Sequence, residues 1–386
     1  MAGWWKIALG LALAVGVSPE SGRAAEWYLE SSLQEQLLFD DNITLAAEQK
    51  IPVAGGITST EVKLGRRTET LTLGLEAKID LNGYVEGSKL GSVDHRYRFK
   101  SAYETERGHL GLDAEINNDT IFDSVEENAS SFTEGVRVTT LTLSPSWAYE
   151  VTPLDRLDLS GGTVSRGYDS PDLVDYQSYF GSAGWQHFFS ERLAGTVSAS
   201  VSQFEPQSAD SASSTTLSFQ PGLVYDWAER LRLEVSAGPE VVISNSDGSE
   251  GGAQLGYSIA SRAVYAWDEL TRIEASYAHM TESSGSGTTT ARDRVSLSAD
   301  RKLNEVTTLR LAGSYIGNEW GGGGDEAFRR YLSAEPSLIW HIFDDTDLTM
   351  SYRYRQQSYW DGTPTASSNA FNLTLAYRLP RLSWSE

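Results

Sequence analysis

Nine basic residues stand at alternate positions in segments whose other positions are largely apolar, and no feature of the sequence lies closer to chemistry. Arg96, Arg98 and Lys100 alternate with Tyr97, Phe99 and Ser101, and Arg262 with Ala263, Tyr265 and Trp267. Arg292 and Arg294 precede the Val295/Leu297 face, while Arg353 and Arg355 alternate with Tyr352 and Tyr354, and Arg378 with Tyr377. Successive side chains of a strand point to opposite faces, so each segment carries a cationic face and an apolar one. If the apolar faces meet lipid, the bases line a lumen, where fixed charges select or guide a solute. The alternative is a cross-strand network of bases, tyrosines and polar-face acids such as Glu30, Asp226 and Glu335 that fills and stiffens the interior.

Catalysis has little support. The five histidines, His95, His109, His187, His279 and His341, are scattered without metal-ligand spacing, and no G-x-S-x-G nucleophile motif occurs. The acidic cluster Asp123, Glu126 and Glu127 lacks the alternating ligand spacing of a calcium loop and reads as solvated charge. No catalytic residue, metal site or cofactor is expected. Inward aromatics that could form a sugar track are limited to Tyr331 and Tyr179.

These segments need a fold that places them side by side. A short acidic or polar turn recurs about every 35 to 45 residues, near Arg66, Glu106, Pro153, Glu191, Glu229, Glu269, Asn304 and Asp345. Longer Gly/Ser/Asp-rich links lie between them, at 46–57, 83–94, 118–134, 167–173, 205–213, 245–252, 282–290, 318–326 and 358–369. Eight short turns and nine longer links predict eighteen strands, with sixteen as the alternative because the first mature residues alternate less cleanly. Trp147, Tyr149, Tyr225, Trp227, Tyr265, Trp267 and Trp340 sit beside the short turns, as a periplasmic aromatic girdle would. The expected fold is therefore all-β: one antiparallel transmembrane β-barrel over 26–386, with short periplasmic turns and longer extracellular loops. The alternative, a soluble β-sandwich or propeller, does not explain aromatics recurring at one end of successive hairpins. By length the 118–134 loop is the expected plug of the lumen.

Residues 1–25 read as a secretory signal peptide: Lys6 precedes an apolar run from Ile7 to Val17, and Gly22-Arg-Ala-Ala offers cleavage after Ala24 or Ala25. Losing Glu20, Lys6 and Arg23 with this leader leaves 52 acidic against 29 basic residues. Such a balance argues against a nucleic-acid partner. With no cysteine, neither disulfides nor thiolate metal sites support the fold. Mean hydropathy is −0.34, which does not exclude a membrane protein whose alternate residues alone face lipid.

The segment Leu33-Gln-Glu-Gln-Leu-Leu-Phe-Asp-Asp-Asn-Ile-Thr-Leu resembles the first strand and Asp-Asn turn of proteobacterial outer-membrane barrels associated with exopolysaccharide production and the PEP-CTERM (exosortase) system. Asp41 and Asn42 match that turn. The resemblance implies a channel for export or passage of an exopolysaccharide across the Gram-negative outer membrane. It adds a secreted polysaccharide and periplasmic export proteins to the expected partners, which are outer-membrane lipid, lipopolysaccharide and the barrel-assembly machinery. Phe371, Leu373, Leu375 and Tyr377 resemble the strand signal that this machinery reads, although the chain continues through Pro380 to Glu386. Either Tyr377 closes the last strand or Trp384 is its terminal aromatic. Beside export stand a general or substrate-selective porin and a non-conducting surface barrel whose loops bind partners; an enzyme comes last.

Overall fold

The computed structural model describes residues 25–85, 90–120, 136–208, 211–245, 252–319, 329–359 and 364–385. The leader, the Asp123 cluster and most of the 118–134 and 318–326 loops lie outside them. The chain runs through β1 (Glu26–Asp40), β2 (Val53–Arg67), β3 (Leu71–Tyr84), β4 (Ser92–Glu104), β5 (Gly108–Thr120) and β6 (Arg137–Thr152). There follow β7 (Asp155–Tyr168), β8 (Tyr176–Phe188), β9 (Leu193–Pro206), β10 (Ser213–Ala228), β11 (Leu231–Asn245) and β12 (Gly252–Ala266). The last third holds β13 (Thr271–Ser283), β14 (Thr289–Asn304), β15 (Thr307–Glu319), β16 (Arg329–Phe343), β17 (Thr346–Tyr359), β18 (Ala366–Arg378) and the four-residue β19 (Leu382–Ser385).

Consecutive strands from β1 to β18 pair antiparallel, and β1 pairs on one edge with β2 and on the other with β18 and then β19. Eighteen strands thus close into a barrel with no free first or last edge. Closure satisfies the wall's backbone donors and acceptors where water is absent. The last strand bulges at Leu379–Arg381 and resumes as β19, where Trp384 stacks on Trp27 at 6.4 Å. Trp384 is therefore the terminal aromatic, and the proline interrupts the strand without ending it.

Exposure separates the two faces. Along β10, Leu217, Phe219, Pro221, Leu223, Tyr225 and Trp227 are exposed, whereas the alternating Ser214, Thr216, Ser218, Gln220, Val224 and Asp226 are buried or partly covered. The same alternation recurs in β16 and β18. An apolar outer surface over a polar inner one is the inverse of a soluble protein, and it is what a barrel wall in lipid requires.

The buried residues do not form a central core. Apart from Ala25, Gly65 and Ala194, all of them among the described residues lie in the longer loops or within six residues of the loop end of a strand. The barrel is thus packed near its extracellular mouth and open towards its short turns.

The face assignment makes a direct prediction. Leu373→Arg, on the outward face of β18, should destabilise the barrel by roughly 2–4 kcal/mol, and Thr374→Arg on the inward face by about 1 kcal/mol or less. Urea unfolding in lipid vesicles reads both; equal costs would overturn the assignment.

Candidate functional site

The loop between β1 and β2, residues 41–52, turns inward. Its anchor is the ion pair between Asp40, fully buried at the top of β1, and Arg355, an inward residue of β17 with 3% of its surface exposed. The Arg355 guanidinium donates to Asp40 Oδ2 at 2.7 Å and to Ser368 Oγ at 3.1 Å, and reaches the carbonyls of Asn42 and Ile43 at 3.4 and 3.3 Å. The second Asp40 oxygen accepts from Ser368 Oγ at 2.7 Å and from the Asn42 amide at 2.8 Å. Although the Arg355 Nε has no hydrogen-bond partner, a buried charge pair tied by this many hydrogen bonds is held in one geometry.

Asn42 extends the anchor. Its side-chain amide donates to the carbonyls of Ala46 and Ser367, and its Oδ1 accepts from the Ala46 amide, closing a five-residue turn. Asp41 accepts from both the backbone and the side-chain amide of Asn369 at 2.7 Å. Leu45 then adopts a left-handed backbone (φ 50°), uncommon for leucine, and packs against Ile316, Tyr331 and Ala366. Ile43 packs against Val53 and Leu90. The Asp-Asn pair is the pivot of an inward plug. The loop expected from its length to fill the lumen, 118–134, lies mostly outside the described residues.

A second inward contact lies across the mouth. The Val174 amide of the β7–β8 loop donates to the Gly285 carbonyl of the β13–β14 loop at 2.9 Å. Gly287 has φ +83°, and a Cβ there would collide with Ser211 Oγ and crowd Val174. Beneath these loops, inward-facing Tyr168, Tyr176 and Phe204 form an aromatic row with ring centroids 6.5 and 5.2 Å apart. Loops from both sides therefore narrow the extracellular end.

All nine bases singled out in the sequence fall on the inward face, but they do different things. Arg355 is locked beneath the plug, and Arg292, 3% exposed, is held by Glu282 at 2.8 Å and Asn318 at 3.0 Å. Neither lines an open path, because neighbouring side chains and loops cover both. Arg294 shares Glu282 at 3.2 Å, Arg96 meets Glu76 at 3.2 Å, and Arg98 takes Asp113 at 2.5 Å with Glu115 at 3.6 Å. Arg262 meets Glu274 at 2.8 Å, and Arg378 meets Asp347 at 2.6 Å at the periplasmic rim. Among the described residues, Lys100 and Arg353 have no ion pair, and the Nε of Arg353 is buried without a hydrogen-bond partner. Arg353 lies two residues below Arg355 on the same face, so it is an uncompensated cation beside the plug.

The two sugar-track candidates do not form a track. Tyr331 is 3% exposed and supports Leu45, while Tyr179 pairs with Thr163 on the outward face. The girdle aromatics all lie at the periplasmic end of their strands. Trp147 stacks with Tyr149, Tyr225 and Tyr265 meet Trp227 and Trp267 edge-on, and Trp340 is exposed; Trp27 and Trp384 extend the belt beyond the sequence reading. Three histidines pair singly with carboxylates near the periplasmic rim, His109 with Glu104, His187 with Asp155 and His341 with Asp347. Among the described residues no three His, Cys, Asp or Glu side chains come together around a metal position.

No family model matches the chain, and no curated protein matches it in sequence. Its fold is similar to solved outer-membrane barrels. The outer membrane protein OpdK of Pseudomonas aeruginosa matches with a TM-score of 0.52 at 12% identity, over 93% of this chain and 99% of that one. OccK9 (OpdG) of the same organism matches at 0.51 and 13%, over 92% and 98% of the two chains. OccAB3 of Acinetobacter baumannii matches at 0.50 and 10%, over 92% and 99%. OpdK has also been solved with vanillate. At these identities the likeness is one of fold.

Arg355→Met should release the plug while the barrel stays closed, because it leaves the Asp40 carboxylate buried and unpaired at a cost of roughly 3–5 kcal/mol. Trypsin should then cut after Lys50 about tenfold faster or more, which corresponds to only 1.4 kcal/mol of local opening. Unchanged cleavage would show that the pair does not hold the loop.

Proposed function

We propose that the protein is an outer-membrane channel of the porin kind, passing small solutes through a lumen that is wide towards the periplasm and narrowed at the cell surface. The observation that carries this reading is the uneven burial of inward charges. Towards the short turns, Arg156 with Asp158 and Arg310 with Asp300 remain about half exposed, whereas Arg355, Arg292 and Arg329 near the mouth are almost fully covered. Half-exposed ion pairs on the inner face of a closed barrel mean a water-filled space. A barrel of 16 to 18 strands is wide enough to leave one. Likeness in fold to OpdK and OccK9 supports the same reading.

Arg353 is the residue best placed to discriminate between solutes. Its charge is uncompensated, it borders the plug, and a fixed charge near the narrowest part of a channel acts on every passing ion. This favours small anionic solutes over cations of the same size, despite the strongly negative net charge of the chain. Export of an exopolysaccharide, implied by the resemblance in β1, has less support. The mouth is crossed by loops, and the aromatic row beneath them is packed away from solvent. A surface barrel acting through its loops keeps no specific observation in its favour.

Single-channel recording of the refolded, leaderless protein in a planar bilayer under a salt gradient tests the proposal. The expected result is a steady conductance whose anion preference weakens in Arg353→Ser, seen as a reversal potential moved towards the cation value. A silent barrel would overturn the channel reading. Conductance with an unmoved reversal potential would remove Arg353 from the path and leave the channel in place.

A further inference from the structure

Glu35 stands on the wrong face for a carboxylate. The register pairs Leu33 with Tyr377, Glu35 with Leu375 and Leu37 with Leu373, so Glu35 shares the outward face with Leu33, Leu37 and Phe39. It is exposed, and its side-chain partner among the described residues is the hydroxyl of Thr58, which donates at 2.9 Å. A second outward carboxylate, Asp293, shows what such a group ordinarily needs: His279 at 3.0 Å, the Tyr277 hydroxyl at 2.8 Å and partial burial. An ionisable group facing hydrocarbon is costly and usually has a partner that accounts for it. Water is available at the rims, and Glu35 lies between them, nine residues in from the periplasmic end of β1 and five from its loop end.

The surrounding wall is unusual as well. On β2 the outward positions beside Glu35 are Gly56, Thr58 and Thr60, small or hydroxyl-bearing, while on β3 Gly83 is followed by the exposed Leu81 and Ile79. Across these two strands stands His95. The direct pairs Leu33–Thr60, Thr60–Ile79 and Ile79–His95 place its side chain on the same outward face, three strands away, or roughly 14 Å at the usual strand spacing. His95 also lies nine residues in from the periplasmic end of its strand, so the imidazole and the carboxylate sit at comparable depth.

We propose that the β1–β4 wall is a self-association surface, on which two copies meet about a two-fold axis along the membrane normal, with Glu35 of each copy against His95 of the other. A two-fold interface sets a residue on one side of the axis against the residue equally far on the other side of the partner. An axis passing between Thr60 and Ile79 therefore creates two identical Glu–His contacts. The small side chains of β2 let the walls approach beside Glu35, as small residues do in other membrane interfaces, and the exposed Leu81 and Ile79 of β3 supply apolar contact across the axis. This surface is independent of whether the lumen conducts.

The chain has no cysteine, so Thr60→Cys and Ile79→Cys are clean single probes on either side of the axis, and Leu217→Cys on β10 is the control. In native outer membranes treated with a mild oxidant, both probes should give a disulfide-linked dimer and the control should not. Heat-modifiable migration shows that each variant is assembled. Adding Glu35→Gln to Thr60→Cys should lower the dimer yield by about tenfold, the effect of losing one charge-assisted hydrogen bond at each contact. The wild-type protein in lipid nanodiscs should have the mass of two chains. A mass of one or three chains, a different protein held on this wall, cross-linking of the control at equal yield, or a yield indifferent to Glu35→Gln would each overturn the proposal.

Discussion

The fold rests on closure at β1. A β-sheet in lipid has no tolerable edge, because each unpaired amide or carbonyl would stand in hydrocarbon without a partner. Here the first strand satisfies that demand on both sides, with β2 along its whole length and with β18 and β19 in succession on the other edge. The bulge at Leu379–Arg381 lets the chain pass Pro380, which has no amide to give, and still return Trp384 to the rim beside Trp27. Once the cylinder is closed, alternation does the rest: every second residue must suit lipid and every other must suit water or a neighbour. That division explains how a wall this apolar belongs to a chain of negative mean hydropathy.

Closure leaves a hollow, and the loops decide what becomes of it. A loop that enters an aqueous lumen has little apolar surface to bury, so it must be held by directed contacts. Asp40 and Arg355 supply them, within a cluster in which Ser368 and the Asn42 amide complete the Asp40 carboxylate while Ser368 and two carbonyls share one guanidinium nitrogen; the Arg355 Nε is left without a hydrogen-bond partner. Burying an ion pair brings little net stability, since desolvation offsets most of the attraction. What it provides is a single position for the loop, and a constriction needs position more than stability. The apolar contacts of Leu45 and Ile43 follow from that placement.

Much of this architecture could be read from the residues. All eight short turns fall where the acidic or polar clusters and their aromatic neighbours placed them, because turn chemistry and girdle residues are local signals. The inward parity of the nine bases was also legible, since parity needs only alternation. Their partners were not. Arg98 meets Asp113 and Arg262 meets Glu274 only because neighbouring strands align in one register, and register is a property of two segments together. The plug was missed because Asp41-Asn42 has the composition of an ordinary turn. Only the distant Arg355 and Ser368 show that it closes inward. The outward position of Glu35 was written plainly in Leu33, Leu37 and Phe39, and needed only the question of which face a strand's odd residue takes.

The charge of the chain and the charge of its path are therefore separate quantities. A net charge of −22 describes all residues, including acids in loops and turns that a passing solute need not approach. Along the inner wall, bases and acids largely cancel in pairs on adjacent strands, and cancelled pairs impose little long-range field in water. If the proposed channel conducts, selectivity falls to the few groups left over, and among the described bases Arg353 is the one that both lacks a counter-charge and lies beside the residue that anchors the plug. The Asp40–Arg355 pair sharpens this effect by neutralising the neighbouring guanidinium and fixing the loop over it. On the proposed reading, one arginine becomes structure so that the next can act on what passes.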